Sequence, residues 1–270
     1  MYNYLTDSIK KSLIPVTEKH LEQKFIKLGI KQGDIVMAHV SLSSLGYVIG
    51  GSECLYNALK NVVGEEGTIV VPSQTVEISD PATWEYPPVP VEWHDLIRDS
   101  MPAYNTSRSF SKAMGSFSNF LGILPQAIRS SHPMYSFTAV GSKALEIIST
   151  VGYDFPFGKE SPLGKMYKLQ SKILMIGTDF ETNTLHLAEN KLNREVLIER
   201  SKISTLKGEE WIEFKNIDLD IYDDYLEIQE EFMKLHQVRK EKINEADLYL
   251  FDMSECVDFA KSYYIERGLN

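Results

Sequence analysis

Four apolar residues in succession, Ile173-Leu174-Met175-Ile176, are closed by Gly177. A continuous run of this kind predicts a strand buried on both faces rather than a half-exposed one. The chain turns polar at once. Thr178, Asp179, Glu181, Thr182, Asn183 and Thr184 supply turn and cap chemistry, and residues 185–189 read as the first turns of a helix that begins near Thr182 or Asn183. Similar apolar runs predict buried strands over 35–40, 68–72 and 137–140, while polar alternation predicts strands over 198–205, 209–215 and 247–253. Helical spacing covers residues 3–30 as two helices parted at Pro15, with Thr17 and Glu18 opening the second. It recurs over 52–63, in a short piece within 91–100, over 116–128 with breaks at Gly122 and Pro125, and over 142–151, 163–169, 224–235 and 254–265. Ser161 before Pro162 is a helix cap rather than a nucleophile.

Residues 73–111 fit neither period. Prolines 81, 87, 88, 90 and 102 alternate there with Trp84, Tyr86, Trp93 and Tyr104. Aromatic residues at that density need a surface to pack on, so the insert is either a wall over a pocket or a satellite cluster against the core.

With 270 residues and 43% apolar content, the chain has ample material for a large core, as one domain or two intimately packed ones. No run approaches the roughly 18 apolar residues of a membrane span, and the N-terminus lacks the pattern of a signal peptide, which predicts a cytoplasmic location and no membrane partner. Cys54 and Cys256 stand far apart without a paired motif, so neither a disulfide framework nor a zinc knuckle is expected. A formal charge of −10 argues against a nucleic-acid partner and suits a cationic small molecule.

Candidate chemistry centres on His186 and Glu189, three residues apart and therefore on one face of the expected helix. A neutral imidazole beyond the carboxyl end of a buried strand can take a proton from an amine or hydroxyl, and a neighbouring carboxylate can hold its tautomer. The same spacing is common on exposed helices. A second candidate is the Ser/Gly-rich stretch 41–51 between a strand and a helix N-terminus, which suits a phosphate but matches no named phosphate loop. His39 at that strand end is either a core histidine bonded to a carbonyl or a ligand contact. His132 precedes a proline and reads as structural.

Taken together, HVSLSSLGYVIGG at 39–51, VPSQTVEISDP at 71–81, MPAYN at 101–105, SKAMG at 111–115, AIRSSHPMYSFTAVG at 127–141, FGKESPLGK at 157–165 and ILMIGTDFETNTLHLAE at 173–189 resemble the aminoglycoside 3-N-acetyltransferase family, the antibiotic acetyltransferases without the GNAT fold. The resemblance implies one α/β domain over residues 1–270 with a central mixed sheet flanked by helices. Its motif-bearing core would span about 30–190, leaving 191–270 as scaffold and substrate wall. It implies acetyl-CoA as donor, no metal, and a homodimer as a reasonable assembly. His186 matches the family's base, Glu189 its orienting carboxylate, and Glu160 an acidic residue before Ser-Pro. Coenzyme contacts would come from His39, Val40, Ser41, Ser43, Ser44, Ser111 and Met114, and acceptor contacts from Gln74, Glu77, Asp80 and Trp84. One departure bears on the acceptor: Asn119 and Phe120 stand near where resistance enzymes commonly carry a Glu, with an Arg further along.

The implied reaction is acetyl transfer to the 3-amino group of a 2-deoxystreptamine ring, conferring antibiotic resistance. One rival keeps the chemistry and changes the acceptor to an amino sugar, a sugar nucleotide or a small phosphonate amine. Others are a metal-dependent hydrolase using His39, His132, His186 and Glu189, and a non-catalytic coenzyme A binder.

Overall fold

A computed structural model describes residues 3–182, 185–219 and 224–268. The element order is α1 (Asn3–Lys10), α2 (Glu18–Leu28), β1 (Ile35–Val40), α3 (Gly51–Val63), β2 (Thr68–Pro72), α4 (His94–Ser100), α5 (Gly115–Gly122), β3 (Ile128–Arg129), β4 (Phe137–Gly141) and α6 (Ala144–Ile148). The remainder runs α7 (Pro162–Lys168), β5 (Lys172–Ile176), α8 (His186–Glu189), β6 (Val196–Thr205), β7 (Gly208–Ile217), α9 (Tyr225–Leu235), β8 (Arg239–Ile243), β9 (Ala246–Asp252) and α10 (Met253–Glu266).

Seven strands form one mixed sheet in the order β3-β4-β2-β1-β5-β9-β8. The three most apolar runs lie at its centre, where β1 pairs in parallel with both β2 and β5. Antiparallel strands complete each side, β4 and β3 beyond β2, and β9 and β8 beyond β5. Alternate residues of the central strands face opposite layers. Val36, Ala38, Ile69, Val71, Leu174 and Ile176 pack with Leu21 and Phe25 of α2, Leu55 and Leu59 of α3, and Phe117 and Leu121 of α5. Met37, Val70, Ile173 and Met175 face the other layer, with Ile147 of α6, Leu163 and Met166 of α7, Leu187 and Ala188 of α8, and Val257 and Ala260 of α10.

Local chemistry sets many boundaries. The Thr17 hydroxyl caps α2 by accepting from His20 N, and the Ser161 hydroxyl caps α7 by accepting from Gly164 N. Three expected elements come out shorter. The helix expected over 116–128 stops at Gly122, and residue 128 enters the edge strand β3. That expected over 142–151 is reduced to α6. The helix carrying His186 is the single turn α8, capped at Asn190 rather than running on to 192 or 193; of its expected starts, Thr182 is not helical and residue 183 lies outside the described residues.

β6 and β7 form a separate two-stranded ribbon. The 73–111 insert packs on it through the bridges Ser79–Ser201 and Tyr104–Ile203. Asp80 ties the two together. Its buried carboxylate accepts from Arg98 Nε and Nη2 (3.1 and 2.7 Å) and from Arg200 Nη1 (2.8 Å), and caps Ala82 N. Burial opposes ionisation there, but the Arg98 hydrogen bonds, with Ala82 N–H and both guanidinium charges, hold the carboxyl below its usual range.

Candidate active site

β1, β2 and β5 end on the same side of the sheet, and a cavity of about 440 Å3 opens beyond their carboxyl ends, where open α/β sheets bind ligands. Its walls come from Ala38–Ser41, Val71, Pro72, Gln74, Ala113–Gly115, Phe117, Ser118, Thr178, Glu181, Thr182 and His186. Loop closure here depends on a missing side chain at Gly177. A Cβ at that position would lie 1.7 Å from Ser44 Oγ, and its φ of +59° is one that L residues avoid. Gly115, with φ +77°, likewise turns the chain into α5 beside the Val40 carbonyl.

α8 delivers the chemistry. Leu185, Leu187 and Ala188 are buried beneath the sheet and fix the turn, leaving His186 at the cavity wall. His186 Nδ1 lies 2.6 Å from Glu189 Oε2. An ionised carboxylate can only accept, so Nδ1 carries a proton, and the neutral ring presents its lone pair at Nε2. Glu189 is fully buried. Its Oε1 accepts from Arg194 Nη1 (3.2 Å) and the Tyr225 hydroxyl (3.3 Å), and Asn190 Nδ2 donates to the His186 carbonyl (2.9 Å). Phe157 packs on the imidazole, the ring centroids 4.8 Å apart. The arrangement is that of an oriented general base.

Of the residues singled out in the sequence, His39, Val40, Ser41, Met114, Gln74 and His186 share this cavity. His39 is buried, and burial pushes its imidazole down to about 4, so it stands neutral at neutral pH. Ser43 lines a neighbouring cavity of about 600 Å3 with Leu42, Gly46, Gly51 and Ser116. Ser111 borders a third, of about 370 Å3, where its hydroxyl accepts from Arg129 Nη2. α5 joins the three, contributing Ser118 to the first and third and Ser116 to the second and third.

The others are placed differently. The Ser44 hydroxyl donates to the Ser41 carbonyl (2.6 Å) and shapes the loop. Glu160 does not join the His186–Glu189 pair as a second carboxylate. It sits exposed ahead of α7, pairs with Lys168 at 3.3 Å, and lines a separate cavity of about 170 Å3. Asp80 is occupied by Arg98 and Arg200, and Trp84 Nε1 donates to the Ser79 hydroxyl, so both hold the insert together rather than line the base's cavity. Glu77 is half-buried within electrostatic reach of Arg129. His132 faces away from the 440 Å3 cavity: its Nδ1 accepts from Met134 N and Tyr135 N while Nε2 bonds the Tyr153 carbonyl. Sequence reasoning did not find Arg194, Tyr225, Phe157 or Glu181; the first two lie in a third of the chain without a recognisable motif.

A buried carboxylate behind a cavity-lining imidazole, at the carboxyl end of a parallel strand set, defines an α/β enzyme equipped for proton transfer. Residues 37–265 match the family model described as aminoglycoside 3-N-acetyltransferase. The YokD protein of Bacillus subtilis, described as a prophage-derived aminoglycoside N(3')-acetyltransferase-like protein, is 38% identical over 262 residues covering 96% of each chain. Its crystal structure has a TM-score of 0.93 at 37% identity, over 97% of this chain and 98% of that one. Aminoglycoside N(3)-acetyltransferase VII of Streptomyces paromomycinus is 31% identical, over 96% of this chain and 95% of that one. The structure described as AAC-IIIb binary with CoASH has a TM-score of 0.84 at 25% identity, over 94% and 98% of the two chains. The chain belongs to the aminoglycoside 3-N-acetyltransferase family and is an acyltransferase.

Proposed function

We propose that the protein transfers the acetyl group of acetyl-CoA to an amine of an aminoglycoside, the 3-amino group of its 2-deoxystreptamine ring, with His186 as general base. The observation that carries this reading is the 2.6 Å contact of His186 Nδ1 with buried Glu189, which leaves Nε2 as the basic nitrogen of a cavity-lining ring. Support for the donor is the row of cavities along α5, bordered by Ser41, Ser43 and the N-terminus of α3, a setting for an extended ligand bearing phosphates. A relative's structure holding CoASH adds to it.

In the reaction, the amine lone pair attacks the thioester carbonyl carbon and a C–N bond forms as the carbonyl π electrons move to oxygen. His186 Nε2 takes a proton from that nitrogen. The oxyanion's electrons then re-form the C=O bond as the C–S bond breaks with its electron pair going to sulfur, and the imidazolium passes its proton to the thiolate. Glu189 holds the ring in register and balances the transient imidazolium. Such a base is worth about 10²–10⁴-fold in rate.

Thiol release from acetyl-CoA, measured against a panel of aminoglycosides and amino sugars, tests the proposal. Aminoglycosides are expected to turn over, and His186→Ala to lower kcat by about 10²–10⁴-fold while coenzyme A affinity stays within about twofold. Wild-type turnover by His186→Ala would overturn the base assignment. Turnover of amino sugars alone would overturn the acceptor, and with it the expectation that the gene raises the aminoglycoside concentration a sensitive bacterium survives.

A further inference from the structure

Glu189 has two oxygens and divides them. Oε2 receives the imidazole, and Oε1 receives Arg194 Nη1 and the Tyr225 hydroxyl. Arg194 is itself buried, its side chain 2% exposed, on the short connection between α8 and β6. Its guanidinium lies 5.2 Å from the Tyr264 ring and also reaches the Asp218 carbonyl at 3.5 Å. A charged side chain in such a place is costly unless something requires it.

We propose that Arg194 is a positioning residue for acyl transfer: its guanidinium offsets the charge of Glu189, so the carboxylate orients His186 without holding it protonated. The inference rests on reading His186 as the base. A lone buried carboxylate against an imidazole favours the imidazolium, which has no lone pair to receive the amine's proton. A fixed cation on the far oxygen opposes that pull. With the ring neutral, Arg194 and Glu189 cancel. When the ring takes its proton the cluster gains one positive charge, which leaves again with the thiolate. Arg suits the role because it cannot shed its own proton.

Among the described residues, groups face this cluster from α9, α10 and the cavity side. α9 presents Tyr225, with Asp224 just before it, and α10 presents Tyr264. Burial raises the Asp224 carboxyl and pushes the Tyr264 phenol up strongly, so the phenol stays neutral. The cavity side presents His39, neutral through burial, and Glu181. Arg267, just past α10, lies within electrostatic reach of Asp224, but among the described residues it is Arg194 whose guanidinium hydrogen-bonds Glu189.

The test follows the His186 ring by NMR across pH in the full-length protein, its signal identified by its loss in His186→Gln. Arg194→Met is expected to move the ring's titration midpoint up by about one pH unit or more, and Arg194→Lys to leave it near wild type. With an acceptor from the thiol-release panel, the acid limb of kcat should move with the midpoint while the KM for acetyl-CoA stays within about twofold. If Arg194→Met does not fold, as judged by circular dichroism, Arg194→Gln takes its place, since it keeps a donor but no charge. An unmoved or lowered midpoint in the neutral variant overturns the inference. Failure of the base assignment looks different: His186→Ala would then retain turnover whatever the ring's midpoint does in the Arg194 variants.

Discussion

Phe157 lies against His186 with ring centroids 4.8 Å apart and planes inclined by 38°, and Tyr135 packs on Phe157 from behind at 4.9 Å. The imidazole is therefore held by a carboxylate at one edge and an aromatic face at its side. Phe157→Leu preserves apolar burial but removes the flat face, so it should cost about 1 kcal/mol of stability and lower kcat about tenfold through a looser ring. Coenzyme A affinity should not change. Chemical denaturation alongside steady-state thiol release checks both parts, and an unchanged kcat would show that Glu189 alone suffices to set the ring.

Asp80 joins the 73–111 insert to the ribbon, with Arg98 on one side and Arg200 on the other. Asp80→Asn leaves both guanidinium groups without their carboxylate. The melting midpoint should fall by about 5 °C, and limited proteolysis should cut within residues 81–98 sooner than in wild type.

His132 and His39 are neutral in the folded protein, burial holding both at about 4. In the unfolded chain a histidine titrates near 6.5. Between these values the unfolded state binds more protons, so stability is complete above about pH 6.5 and declines as pH falls toward 4, by about 1.4 kcal/mol per pH unit for each histidine. Urea unfolding across this window should show that slope reduced by one histidine's share in His132→Gln. Equal slopes would mean that His132 titrates alike in both states.

Gly177 closes β5 against the Ser44 hydroxyl. Gly177→Ala adds a Cβ in that contact and at a positive φ, and should cost about 2 kcal/mol or more. Adding Ser44→Gly should recover part of the loss by removing the collision, while the backbone cost remains. Denaturation midpoints of the single and double variants separate the two contributions.

The central strands were legible because apolar runs such as 173–176 and 68–72 have one stable use, burial on both faces of a parallel sheet. β8 was not, because Arg239-Lys240-Glu241-Lys242-Ile243 is an edge strand whose charges protect an open side and so erase the apolar signal. Helices ended early where Gly122 and Pro125 break the period, and β3 then takes up residue 128. The His186–Glu189 pair could be read because both residues lie within one turn. Tyr225 could not, since it meets Glu189 only after β6 and β7 have returned the chain to α8, and Arg194, though only five residues on, lies past the end of the helix, where no regular spacing links it to Glu189. Asp80 offered a free carboxylate in the sequence, but Arg200 at a separation of 120 residues claims it.

Among the described residues the β6–β7 ribbon shares no ladder with the seven-stranded sheet and is fastened by side-chain ties and two isolated bridges. Its hairpin end, Thr205–Gly208, can therefore be lengthened, shortened or exchanged without disturbing the register of the sheet behind the base. Such a detachable flank can change in length and sequence, by drift or by design, while the reacting centre stays untouched.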